Sequence, residues 1–157
     1  MAARVHATPG YIVEAGTPIG TDPVRTLVVS CSDGRFGKPV TLFLENVLGL
    51  PPYDRLFVPG GAGSIASTFA WGLEKAVNEQ LRFLIHAHRV NRVILLSHQD
   101  CGFYKTHLRV DPAIVEERRF ADLTQALVKV RHLGINVEVR AYFARFEGRE
   151  VIFETLS

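Results

Sequence analysis

A chain of 157 residues has room for one domain, and 47% apolar against 22% charged residues marks a packed core rather than a disordered tract. A net charge of +2, spread among acidic neighbours, argues against a nucleic-acid surface, and no apolar run is long enough to cross a bilayer. The opening Met1-Ala2-Ala3-Arg4-Val5-His6 has no continuous apolar stretch after its basic residue, so an export signal is not expected, and the two cysteines are expected to stay reduced in the cytoplasm.

Residues 1–23 are punctuated by Pro9, Gly10, Gly16, Pro18, Gly20 and Pro23 and read as an irregular N-terminal arm, with the folded domain over 24–157. Arg25 to Ser30 is a β-branched run suited to a central parallel strand, and Cys31 lies at its carboxyl end. A short helix is expected over 38–48, closed by Gly49 and Pro51-Pro52. A second strand, Arg55 to Val58, ends at the glycine-rich Pro59-Gly60-Gly61-Ala62-Gly63-Ser64. A long helix is expected from Ile65 to Val90, with Phe69, Leu73, Val77, Leu81, Leu84 and His88 forming its buried stripe.

Arg92 to Ser97 is the clearest strand and delivers His98 and Cys101 to the loop beyond it. Pro112 suits the first turn of a helix running to His132, with Gly134 as its stop. Within it, Glu116-Glu117-Arg118-Arg119 has the charge balance of a solvated face. Ile135 to Phe143 reads as a fourth strand, and Gly148 turns the chain into a last strand, Glu150 to Thr155. Strands alternating with helices imply an α/β fold. We expect one mostly parallel central sheet, about four strands plus an antiparallel C-terminal edge strand, flanked by helices.

In such sheets ligands bind beyond the carboxyl ends of the strands. Cys31 and the pair His98 and Cys101 fall there, and these are the only cysteines in the chain. Two soft thiolates and an imidazole suit zinc and disfavour magnesium or calcium. Three protein ligands leave a fourth position open, the arrangement of catalytic zinc sites. Two thiolates cancel the ion's formal charge, so its water is less acidic than at an all-histidine site and a further group must handle the proton. Asp33, two residues from Cys31, is placed for this, and Arg35 is placed to hold Asp33 ionised through paired hydrogen bonds.

Other readings are weaker. His86 and His88 are two apart on a helix and face different directions. His6 and His132 read as surface residues, and His107 as a loop histidine near the cleft. Gly61-Ala62-Gly63-Ser64-Ile65-Ala66 matches a dinucleotide fingerprint, but it follows the second strand, and the next strand ends in Ser97-His98 rather than a ribose-binding acid. A tight turn near the metal, with backbone N–H groups free for an anion, is the expectation. A thiol phosphatase would need Arg six residues after Cys31, where Gly37 stands.

The segments Cys31-Ser32-Asp33-Gly34-Arg35 and His98-Gln99-Asp100-Cys101-Gly102 resemble those of the β-class carbonic anhydrases. In that family a Cys-x-Asp-x-Arg segment follows the first strand and a His-x-x-Cys-Gly segment the third. The resemblance covers residues 24–104 specifically and the closing strands less so. It implies zinc on Cys31, His98 and Cys101, and reversible hydration of carbon dioxide to bicarbonate by zinc-bound hydroxide. In that chemistry Asp33, held by Arg35, orients the hydroxide or displaces it from zinc. It also implies a homodimer or assembly of dimers.

Three features depart from the family. Gly34 replaces a usual Ser, Gly60-Gly61-Ala62-Gly63 replaces an Arg-Asn-Ala-Gly run, and residues 1–23 are short for the usual wrapping extension. The missing Arg removes the expectation of bicarbonate regulation. It also keeps open a relative acting on carbonyl sulfide or carbon disulfide, or a non-catalytic one.

Overall fold

The computed structural model describes residues 20–66, 72–134 and 136–156. Five strands form one sheet in the order β2-β1-β3-β4-β5: β1 Thr26–Cys31, β2 Asp54–Val58, β3 Arg92–His98, β4 Glu138–Glu147 and β5 Glu150–Leu156. The pairs β1–β2, β1–β3 and β3–β4 are parallel, and β4–β5 is antiparallel around Gly148, as the alternating pattern and the final turn imply.

Alternation along β1 decides which layer each side chain enters. Leu27 and Val29 pack with Val77, Leu81 and Ile85 of α3 (Leu73–Ala87) and Leu123 and Ala126 of α4 (Val115–Arg131). Val28 faces the other way, with Ile94, Leu96 and Tyr142, onto Phe36 and Val40 of α1 (Gly34–Leu42). The sheet is thus buried on both faces, which accounts for the near-continuous apolar character of β1 and β3. From β1 the chain passes to β2 on one side and, one unit later, to β3 on the other. The carboxyl ends of β1 and β3 therefore flank the switch point where α/β sheets place their ligands.

Several boundaries differ from expectation. The first helix starts at Gly34, not residue 38, because the Asp33 side chain caps it by accepting from the Arg35 amide at 3.0 Å. Its regular part ends at Leu42 and a π-helical turn, Phe43–Val47, completes it. The continuous helix expected over 65–90 is two pieces, a short α2 (Gly63–Ala66) and α3. Gly72, at φ 89°, holds a conformation no helix interior adopts. Phe69 of the expected stripe lies outside the described residues, and His88 is not buried but pairs with Asp54 at 2.6 Å.

Pro112 sits in a turn before α4, which begins at Val115. β4 begins at Glu138 and runs past Phe143 to Glu147, because the antiparallel pairing with β5 carries it on. Of the expected arm, residues 1–19 lie outside the described residues, as does Ile135.

Candidate metal centre

Cys31 is the last residue of β1 and His98 the last of β3, so parallel pairing brings both to one edge of the sheet. Beyond His98, the Gln99 amide donates to the Ala144 carbonyl at 2.8 Å and the Gln99 side chain accepts from the Phe146 amide at 3.0 Å. Asp100 then takes φ 60°, a left-handed turn that Asp tolerates, and the chain doubles back to place Cys101. A π-helical turn, Phe103–His107, follows.

The ligand atoms of Cys31, His98 and Cys101 lie within 4.8 Å of one another, and the two sulfurs are 3.8 Å apart. His98 Nδ1 is 2.7 Å from the Gln99 carbonyl oxygen. A carbonyl only accepts, so Nδ1 carries the proton and Nε2 presents a lone pair. Nε2 is buried and has no partner among the described residues. A buried imidazole nitrogen facing two thiols that form no disulfide is a donor set that fits a thiophilic metal ion. The ring itself is held by Phe36, whose centroid is 4.1 Å away. The Cys31 thiol is held below the ordinary thiol range, chiefly by a hydrogen bond from Cys101 and with help from His98, while the same hydrogen bond and burial push Cys101 up.

Asp33 is not part of this trio. Arg35 holds both its oxygens, Nε at 3.1 Å from each and one terminal nitrogen at 2.6 Å, and the carboxyl pKa falls to about 2 as a result. The other terminal nitrogen of Arg35 reaches Asp100 Oδ2 at 3.0 Å, and the Asp100 carbonyl accepts at 3.1 Å from the nitrogen that holds Asp33. Asp100 also pairs with Lys105. Arg35 therefore ties the loop of Cys31 to the loop of His98 and Cys101. Asp100 stood inside the second motif, but nothing in the chain marked its contact 65 residues away.

Two expectations about the surroundings fail. The amides of the glycine loop are not free for an anion. Gly61 donates to Val58, Ala62 to Leu96, Gly63 to Gly60, Ser64 to Gly61 and Ile65 to Ala62. Gly61, at φ 53°, passes so close to the ligand strands that a Cβ would lie 2.7 Å from the Cys31 nitrogen and the Leu96 oxygen. A Cβ at Gly60 would enter the Phe103 ring. The second failure is Arg119, which is not on a solvated face: it is 1% exposed, because α4 turns it under the end of β3. His107 is exposed and stacks on Phe103.

A family model described as "Putative carbonic anhydrase" matches residues 22–152. An uncharacterized protein of Rickettsia bellii is 26% identical over 111 residues, 69% of this chain and 66% of its own length, so the chain spans just under two thirds of that relative. Among solved structures, beta-carbonic anhydrase isoform I of Trichomonas vaginalis superposes with a TM-score of 0.52 at 16% identity, over 87% of this chain and 86% of that one. The beta-carbonic anhydrase CafD of Aspergillus fumigatus gives 0.53 at 10% identity, over 90% and 94%. At such identities these two likenesses establish the fold.

Proposed function

Because this chain belongs to the family of putative carbonic anhydrases, we propose that Cys31, His98 and Cys101 hold a zinc ion and that the protein catalyses the reversible hydration of carbon dioxide to bicarbonate. The orphaned Nε2 of His98, buried beside two reduced thiols and next to a clamped carboxylate, carries this reading. Bound there, zinc supplies Lewis-acid activation of water.

The chain's own residues supply the rest. A carboxylate offers about four acceptor positions. Three N–H groups of Arg35, the backbone amide, Nε and one terminal nitrogen, engage Asp33 with two contacts on each oxygen, the Nε shared between both. With its pKa near 2, Asp33 holds and orients a reacting O–H rather than taking its proton at neutral pH. Cys101 packs with Phe103, Tyr104 and Val115, and this apolar group suits a small neutral substrate.

Thiol ligands must stay reduced to bind metal, which supports a cytoplasmic location for the working protein. No helix among the described residues is long and apolar enough to cross a membrane. An apolar groove of about 530 Å³, lined by Leu42, Phe43, Val47, Ile152 and Phe153, runs beside the unpaired edge of β5 and supports association as a homodimer or assembly of dimers.

Gly60 and Gly61 leave the site without the family's Arg-Asn pair, which favours one second reading, turnover of carbonyl sulfide or carbon disulfide. Comparing turnover of carbon dioxide and carbonyl sulfide by the zinc-loaded protein tests the proposal. Faster carbon dioxide turnover supports it, and turnover of carbonyl sulfide alone replaces it with the second reading.

A further inference from the structure

A buried guanidinium is expensive to desolvate, and an apolar side chain of similar size would fill the space as well or better. Arg119 is nonetheless among the largest fully buried side chains of the protein. It reaches from α4 to the end of β3, where one terminal nitrogen donates to the carbonyl oxygen of His98 at 3.3 Å. Its guanidinium carbon lies 5.8 Å from the centroid of the Tyr104 ring, three residues past Cys101. Arg119 therefore touches both flanks of the loop that carries His98 and Cys101. Its counter-ion, Glu116 at 2.9 Å, is half exposed.

The residues packed around Arg119 are polar as well. Tyr104 is fully buried, and its hydroxyl occupies the space a Cβ on Gly63 would need. Asp122 is 4% exposed and accepts from Arg118 at 2.9 Å through one oxygen. The Arg119 Nε has no partner among the described residues, and the Tyr104 hydroxyl has only the Asp122 carboxylate beside it, without well-formed hydrogen-bond geometry. Such a cluster is costly unless its geometry serves something nearby, and the nearest working group is the metal trio.

We propose that Arg119 is a positioning residue of the metal centre, fixing the His98 backbone and the Tyr104 ring so that the His98 imidazole and the Cys101 sulfur meet one ion. This rests on the reading that Cys31, His98 and Cys101 hold a metal.

The test compares wild type with Arg119→Met and Glu116→Gln in three measurements: zinc dissociation constant by chelator competition, melting of the metal-free protein, and the absorption spectrum of the cobalt(II)-loaded protein. Arg119→Met is expected to raise the zinc dissociation constant about tenfold or more, as loss of a residue supporting a ligand typically does. Its cobalt d–d bands are expected to change while metal-free melting holds or rises. An unchanged zinc dissociation constant or an unchanged cobalt spectrum overturns the proposal and leaves Arg119 a packing residue. If Arg119→Met does not fold, Glu116→Gln, a change at a half-exposed site, decides: weaker zinc binding at unchanged metal-free melting supports the role, and unchanged zinc binding removes it. Failure of the wild type to bind either metal refutes the metal reading itself, a result distinguishable from failure of the Arg119 assignment.

Discussion

The sulfurs of Cys31 and Cys101 lie 3.8 Å apart although 70 positions separate the two residues in the chain. The parallel register of β1 on β3 makes this possible: Val29 pairs with Leu95, so the two strands end at the same edge of the sheet, β1 at Cys31 and β3 at His98, from which Cys101 is three residues on. The site is a product of topology, and variants that touch it separate metal binding, catalysis and folding.

Cys101→Ser removes a proposed ligand while keeping the shape of the side chain. The variant is expected to lose zinc almost completely, and the stabilisation that metal gives the wild type should vanish with it, since site assembly and folding are coupled. Metal analysis after gel filtration checks this. A full equivalent of retained zinc refutes the ligand assignment.

Asp33→Asn keeps the helix cap, because the Asn side-chain oxygen also accepts from the Arg35 amide. It removes the ionised acceptor. Zinc content is expected to stay near wild type while turnover falls about a hundredfold or more. Unchanged turnover would take Asp33 out of the mechanism.

The pH behaviour of Asp33 follows from its clamp. Its folded pKa, about 2, is depressed by Arg35 below the ordinary carboxylate value of about 3.9. The contribution to stability is therefore fully present above about pH 4 and is lost as pH falls through about 2. Carboxyl NMR of the metal-free protein should show a midpoint near 2 that moves up toward the ordinary value in Arg35→Gln. A midpoint unmoved by that substitution would show that Arg35 does not hold Asp33.

Gly61→Ala sets a Cβ 2.7 Å from backbone atoms of both ligand strands, at a positive φ. Backbone cannot swing aside as a side-chain tip can, so a loss of about 1–3 kcal/mol is expected, read by chemical denaturation. Gly34→Ala is the control: a Cβ there has nothing within 4 Å, so near-wild-type stability is expected.

The strands and the clustering of Cys31, His98 and Cys101 were legible because these residues lie at or just past apolar runs that must be buried strands, and strand ends share an edge. Asp33 and Arg35 were legible from adjacency to Cys31. Arg119 was not. The pattern Glu116-Glu117-Arg118-Arg119 is the same whether a helix turns it toward water or under a sheet, and only the docking of α4 on β3 decides. The break at Gly72 was hidden because an apolar stripe continues on both sides of a glycine whose φ the sequence does not reveal. The glycine loop misled in the other direction. Its amides look free for a ligand until the turn closes and each finds a carbonyl.

The most direct test of the central claim is stopped-flow hydration of carbon dioxide by the reduced, zinc-loaded protein from neutral to alkaline pH, beside Asp33→Asn. Turnover that rises with pH in the wild type and collapses in the variant is the predicted result. Wild-type protein that holds one zinc yet gives no turnover at any pH would contradict the account.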